Sequence, residues 1–310
     1  MSGNPTAPYS AAAGTAVTHV AGYADDELTA VGSRVLRVRR ALKHRSLLVG
    51  VVLVLAIVAL VAAAPLIASY GPNAQHPSAT FVEPFGRHFF GTDAFGRDVL
   101  ARVLYGGRYT IGASVAVVVL GGVCGSLVGL VAGYLGGVPG FVIMRGVDLL
   151  LAFPGILLAL AVAAILGPGL RNGVFAVAVV VIPAYARVVE GATVEVRHLE
   201  YVEASVTLGA RPWHIIWRHV LPNVRSGIVV LTTSWLGIAA LWIAALGFIG
   251  LGVQPPTPEW GASLNDGQNY ISLAWWMTVF PGAFLGLFVI AVNLIGDGLR
   301  DELDPALAHA

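Results

Sequence analysis

Six stretches of the chain are apolar for long enough to cross a bilayer, and short polar segments separate them. They run over Leu47–Ala68, Thr110–Leu135, Leu149–Leu166, Gly173–Val189, Gly227–Gly252 and Ala274–Gly296. Each is near the roughly twenty residues that a hydrocarbon core demands of a helix. Between the fourth and fifth runs the pattern changes, and acid, base, Gly and Pro appear at readable offsets from Tyr201 to Asn223. Gly209 reads as a break between two short amphipathic helices, because glycine accepts the backbone angles of a sharp turn. Pro212 suits the first turn of the second helix, where its missing N–H costs nothing. Ile215, Ile216, His219 and Val220 then share one face at helical spacing.

Composition agrees with this pattern. Charged residues make up 11% of the chain and apolar ones 57%, against about 25% charged in a soluble domain. The expected class is an all-α integral membrane protein with no large soluble domain. A net charge of +1 gives no reason to expect nucleic acid as a partner. Lys43 is the only lysine, and the single Cys124 sits in an apolar run, so it is expected as a small buried hydrophobe rather than a disulfide or metal ligand.

Residues 1–33 are rich in Ala, Gly, Ser, Thr and Pro and read as a disordered tail. Residues 34–68 hold a basic flank (Arg34, Arg37, Arg39, Arg40, Lys43, Arg45) and the first span, which is too long for a signal peptide. Residues 69–109 form an extracytoplasmic or interfacial segment. Residues 110–300 form the core with a cytoplasmic loop over 190–225, and 301–310 a short tail. A basic flank of this kind stays in the cytoplasm, and with six spans the N- and C-termini are then both expected there. Thirteen basic residues then fall inside and five outside, namely Arg87, Arg97, Arg102, Arg108 and Arg171, as the positive-inside rule favours. The basic run from Arg87 to Arg108 is the exception, and Asp93 and Asp98 are the available counter-charges.

Gly121, Gly125, Gly129 and Gly133 recur at every fourth position of the second span, a face that lets helix backbones approach in lipid. Pro154 near the start of the third span and Pro183 inside the fourth predict kinks. Thr232, Thr233, Ser234 and Asn293 are polar groups deep enough to line a pathway, or to bond helix to helix. No His, Cys or carboxylate cluster has metal-ligand spacing, and the histidines read as surface or interface groups. A P-loop needs a Lys behind a glycine pair, and Lys43 has none, so this chain does not bind ATP through that motif. No acid lies within a span, which weakens an ion-coupled mechanism.

The loop from Glu203 to Pro222 resembles the coupling loop of ABC-importer permeases. Their pattern is Glu-Ala-Ala, three residues, Gly, nine residues, Ile, one residue, Leu-Pro. Glu203, Ala204, Gly209, Leu221 and Pro222 match it, whereas Ser205 replaces the second Ala and His219 stands at the Ile. The string GTDAFGRD (Gly91, Thr92, Asp93, Gly96, Arg97 and Asp98 among it), followed by LYGGR, is similar to the C-type permeases of dipeptide, oligopeptide and nickel importers. The polar loop over Gln254–Leu273 resembles the same family, and is expected as an extracytoplasmic surface for a substrate-delivering protein.

This resemblance implies a type I ABC importer permease with six transmembrane helices, multi-pass in the cytoplasmic (inner) membrane, and not itself an enzyme. It implies a heterodimer with a B-type permease, two ABC ATPase subunits that bind the ATP, an extracytoplasmic peptide-binding protein and a peptide substrate, with no cofactor in this chain. In the coupling loop it implies charged contacts at Glu203 and Arg211, a bend at Gly209, and an apolar docking face of Ile215, Ile216 and Trp217. Nickel, glutathione or another small solute stays open as cargo. From other classes, an ion-coupled carrier and a membrane scaffold stay open too.

Overall fold

The computed structural model describes residues 45–303. The tail over 1–33, most of the basic flank and residues 304–310 lie outside the described residues.

The chain opens with α1 (Arg45–Ala62) and a single turn, α2 (Ala64–Ile67). After a connection holding one short 3-10 turn (Pro77–Ala79), α3 runs over Val99–Leu135. It is followed by α4 (Gly137–Leu151), α5 (Gly155–Leu166) and α6 (Leu170–Arg197). Two short helices, α7 (Glu200–Thr207) and α8 (Pro212–Ile215), lead through a π turn (Ile216–Val220) into α9 (Leu221–Phe248). The chain continues with α10 (Trp260–Gln268) and α11 (Trp276–Leu303). Among the described residues five helices are long and apolar enough to cross a membrane, or six if α4 and α5 together count as one span.

That pair departs from the expected single run over Leu149–Leu166. α4 and α5 meet at 89°. The cause is Pro154, which caps α5 at φ −57° and ψ 123°. A proline also pushes the residue before it out of the helical region, so α4 cannot run on through Phe153. Pro183 behaves differently and sits within α6 without ending it. The second span also begins earlier than Thr110. Asp98 caps α3, its side chain accepting the Ala101 N–H at 2.8 Å, and the helix of 37 residues is about 55 Å long. Arg102 and Arg108 are carried on that helix, whereas Arg87 and Arg97 precede it.

α3 and α6 are the central pair, and the four glycines are the reason. A Cβ on Gly121 would meet Val181, one on Gly125 would run into the Ile182 carbonyl, and one on Gly133 would stand 2.7 Å from the Thr193 Cβ. The partner of the glycine face is therefore α6 of the same chain. Val117, Val177, Val181, Tyr185 and Leu246 complete this core. Cys124 lies outside this core and is exposed, against the expectation of a buried hydrophobe. α1 packs mainly on α11, with Gly50 against the Ala291 and Ile295 backbone.

α10, nine residues long, forms the middle of the connection over Gln254–Leu273. Trp260 is fully buried, its indole N–H donating to the Val103 carbonyl at 2.9 Å. Gly261 lies directly on the Ala244 backbone of α9, where no larger residue fits. Only the stretches on either side, Gln254–Pro256 and Gln268–Leu273, are exposed. The bundle thus has one end carrying α7, α8 and the π turn, and an opposite end built from the segment before α3 and from α10.

Candidate functional site

The loop at the first end is built from two helices that share a buried inner face. Glu200 and Glu203 occupy the first turn of α7, where negative charge opposes the helix dipole favourably. Gly209 closes α7 at φ +80°, a left-handed angle, and nothing lies within 4 Å of its Cβ direction. Its backbone, and not space, is what requires glycine there. Pro212 occupies the first turn of α8. Pro222, in the first turn of α9, has no N–H to offer the carbonyl of residue 218. The ladder shifts to a wider turn in which the Leu221 N–H bonds Ile216 O, five residues back. Such π turns favour functional positions.

Ile215 and Ile216 are buried with Val220 and Val224 against Leu130, Val189 and Val202. They anchor the loop to α3 and α6 and cannot form its docking face, a correction to the expected role. Burying them removes apolar area from water that exposure would cost. The exposed apolar surface is instead Leu208 at 88%, Trp213 at 63%, and Trp217 and Val206 at about half their area. The Trp213 and Trp217 rings meet edge to face at 5.2 Å. Glu203 and Arg211 are exposed beside them. His198 approaches Glu203 at 3.5 Å, an exposed contact worth little by itself. Asn223 secures the rear, donating to Tyr201 Oη at 2.9 Å and to the His219 carbonyl at 2.6 Å. Leu208→Ala is expected to leave the melting temperature unchanged. Ile215→Val should cost about 0.5–1.5 kcal/mol. Thermal unfolding in detergent compares the two, and equal losses would mean that Leu208 is packed.

At the other end the GTDAFGRD string folds into a buried ionic cluster. Asp93 Oδ1 accepts the N–H groups of Phe95 and Arg97 at 2.8 and 2.9 Å, and Oδ2 takes Arg97 Nε at 2.5 Å. Gly96 at φ +68° lies against the His76 backbone. Gly91 at φ +75° allows the turn that lets Thr92 bond Val82 N–H and the Ala79 carbonyl. Arg102 and Arg97 both reach Asp266 of α10, at 3.2 and 3.4 Å. His88 Nδ1 pairs with Asp98 Oδ2 at 2.7 Å and is buried, so it is neither a surface nor an interface group. Arg97 and Arg102 thus belong to an interior network that ties the segment before α3 to α10, whereas Arg87 and Arg108 are exposed.

Glu259 was hidden in the polar loop, yet it is 1% exposed. It caps α10 through the Ala262 N–H at 2.9 Å and accepts the Thr110 hydroxyl at 2.7 Å. Among the described residues no ion pair reaches it. Burial holds its carboxyl above the ordinary carboxylate range, a push partly offset by hydrogen bonds from Gly261, Thr110, Ala262 and Trp260. The folded chain therefore holds this proton more tightly than the unfolded one. The resulting stability is complete below the ordinary value of 4.5 and is lost as pH rises toward the folded value. Raising the pH from about 4.5 to 7 should lower the melting temperature of the native chain relative to Glu259→Gln. Parallel curves would show that Glu259 ionises as a surface acid does.

The four polar groups expected along a pathway do not form one patch. Thr232 accepts the Tyr185 hydroxyl at 3.0 Å and faces α6. Thr233 and Ser234 bond their own helix at Val230 and stand over Gly296 of α11, while Asn293 stands over Gly237 of α9. No group of three or more metal-ligating side chains occurs among the described residues.

These features define a multi-pass, all-helical membrane subunit with a glycine-packed helix pair at its centre and an exposed amphipathic loop at one end. Residues 125–309 match the family described as binding-protein-dependent transport system inner membrane component. Residues 35–84 match the N-terminal TM domain of oligopeptide transport permease C. A probable D,D-dipeptide transport system permease protein of Escherichia coli (strain K12) is 44% identical over 78% of this chain and 81% of its own. A dipeptide transport system permease protein of Alkalihalophilus pseudofirmus is 39% identical over 91% and 93%, and a glutathione transport system permease protein of Pectobacterium atrosepticum 46% over 72% and 74%. Among solved structures, a chain of the MetNI methionine ABC transporter, in inward-facing conformation, shares the fold with a TM-score of 0.53 at 21% identity, over 66% of this chain and 97% of that one. The chain belongs to the family of binding-protein-dependent transport system inner membrane components. It is a multi-pass inner-membrane permease of an ABC importer, a role that implies ATPase and binding-protein partners.

Proposed function

We propose that this chain is the C-type permease of an importer for dipeptides or oligopeptides. It pairs with a B-type permease, two cytoplasmic ATPase subunits and an extracytoplasmic peptide-binding protein. The substrate assignment rests on the dipeptide relatives. The chain binds no cofactor and catalyses nothing; its partners bind and hydrolyse ATP. Both termini and the loop over 190–225 lie in the cytoplasm. The observation that carries the coupling role is the division of this loop into a buried anchor, Ile215 and Ile216, and an exposed apolar rim, Leu208, Trp213 and Trp217. A rim on a rigid anchor is a lever: force applied by an ATPase to the rim passes into α6 and α9. Glu203 and Arg211 supply the charged contacts, and Leu221 and Pro222 set the angle at which the loop leaves α9.

The test is reconstitution of the chain with its three partner subunits and the binding protein in vesicles. ATP-dependent dipeptide accumulation is expected. Glu203→Lys with Gly209→Pro should abolish both accumulation and co-purification of the ATPases. Uptake that ignores ATP but collapses with the membrane potential would establish an ion-coupled carrier instead. Accumulation of glutathione in preference to dipeptides would assign the cargo of the Pectobacterium relative.

A further inference from the structure

A cavity of about 340 Å³ opens between α3, α6 and α9, at the base of the loop. That size falls at the lower end of the range for small-molecule sites. Its α3 wall runs from Val118 to Leu130, about 18 Å of helix, so it is an elongated slot. Trp217 of the π turn and Leu221 at the start of α9 close the loop end. Nothing charged lines it.

Three hydroxyls line this apolar slot, and beside Tyr185, which donates to Thr232, Ser126 and Thr232 have hydrogen-bonding capacity left. Ser126 is 8% exposed, and its Oγ has no partner, although a buried hydroxyl left unpaired is costly. Thr232 donates to the Ile228 carbonyl at 2.7 Å and accepts from Tyr185, which leaves one lone pair free. Ser126 can thus give a proton to a carbonyl, and Thr232 can accept an N–H.

We propose that this slot is a cargo subsite that takes an apolar peptide side chain, with one peptide unit held by Ser126 and Thr232. This rests on the peptide-importer reading above. The lack of charge leaves the cargo termini to be held elsewhere, and the donor-and-acceptor pair fits a peptide unit better than an acyl chain, which offers neither group. Because Trp217 and Leu221 close the slot, a displacement of the loop changes its width, which connects the lever to release of the cargo.

The test uses the complete importer in vesicles, with the same binding protein presented with Gly-Phe and Gly-Ser. Val123→Trp fills the slot from its exposed edge, and Leu127→Trp does so from the next turn, so failure of one variant to assemble does not end the experiment. Either should lower Gly-Phe uptake relative to Gly-Ser by roughly tenfold or more. Ser126→Ala should lower both peptides alike and leave that ratio unchanged. An unchanged ratio in both tryptophan variants would overturn the subsite. So would an unchanged ratio accompanied by loss of a co-purified lipid, which would make the slot a lipid site. A native importer that accumulates neither dipeptide overturns the peptide-importer reading, and the subsite with it; accumulation without selectivity change overturns the subsite alone.

Discussion

Asp93→Ala is expected to destabilise the chain by about 3–5 kcal/mol, the cost of removing one partner from a buried ion pair. Asp93 and Arg97 are 3% and 5% exposed. The substitution leaves the buried Arg97 guanidinium with only the long 3.4 Å contact to the partly exposed Asp266, and leaves two backbone N–H groups, of Phe95 and Arg97, without their acceptor. Arg102 loses a second carboxylate at 3.9 Å and retains only Asp266 and the Pro256 carbonyl. Asp266→Ala should cost less, about 1 kcal/mol or under, because that carboxylate is partly exposed and screened by solvent. Asp93→Ala combined with Arg97→Ala should recover part of the loss, since a buried charge then no longer goes unpaired. Thermal unfolding of the purified permease in detergent reads all three. Equal shifts for Asp93→Ala and Asp266→Ala would mean that the cluster is solvated and that its burial has no energetic consequence.

Gly129→Leu is expected to prevent recovery of a folded permease, and Gly129→Ala already to lower its melting temperature by several degrees. A Cβ at this position would stand 2.5 Å from the Ala186 carbonyl oxygen and 2.9 Å from the Glu190 amide nitrogen. Those are backbone atoms of α6, which no rotamer change can move. Overpacking of this kind costs about 1–3 kcal/mol for small insertions, and a leucine adds three further carbons to the same contact. Gly112→Ala on the same helix is the control, because nothing lies within 4 Å of its Cβ direction. If Gly129→Ala melts with the native chain, the α3–α6 contact is looser than its glycines require.

Five of the six apolar runs and the glycine period were legible in the sequence because both depend on local composition; the third run is instead a helix pair bent at 89° before Pro154. A span is recognised by its length in apolar residues, and a close-packing face by small residues at helical spacing. The turn at Gly209 was legible for the same reason, since only the backbone decides it. The membrane-transport class follows from these together with the loop and GTDAFGRD motifs.

Tertiary structure decided everything that depends on which side of a segment faces another helix. Periodicity placed Ile215, Ile216 and Trp217 on one short stretch, but only packing against Val189 and Val202 turned the two isoleucines inward and left Trp217 outside. The sequence offered Asp93 and Asp98 as counter-charges for the arginines and Asp93 does pair with Arg97, but it could not offer their second carboxylate, Asp266 of α10, which is over 160 residues away. Glu259 and His88 looked like surface groups for the same reason: their burial is produced by helices distant in sequence. A polar residue marks a loop only when its partners are local; where the fold supplies them, the same residue becomes part of the interior.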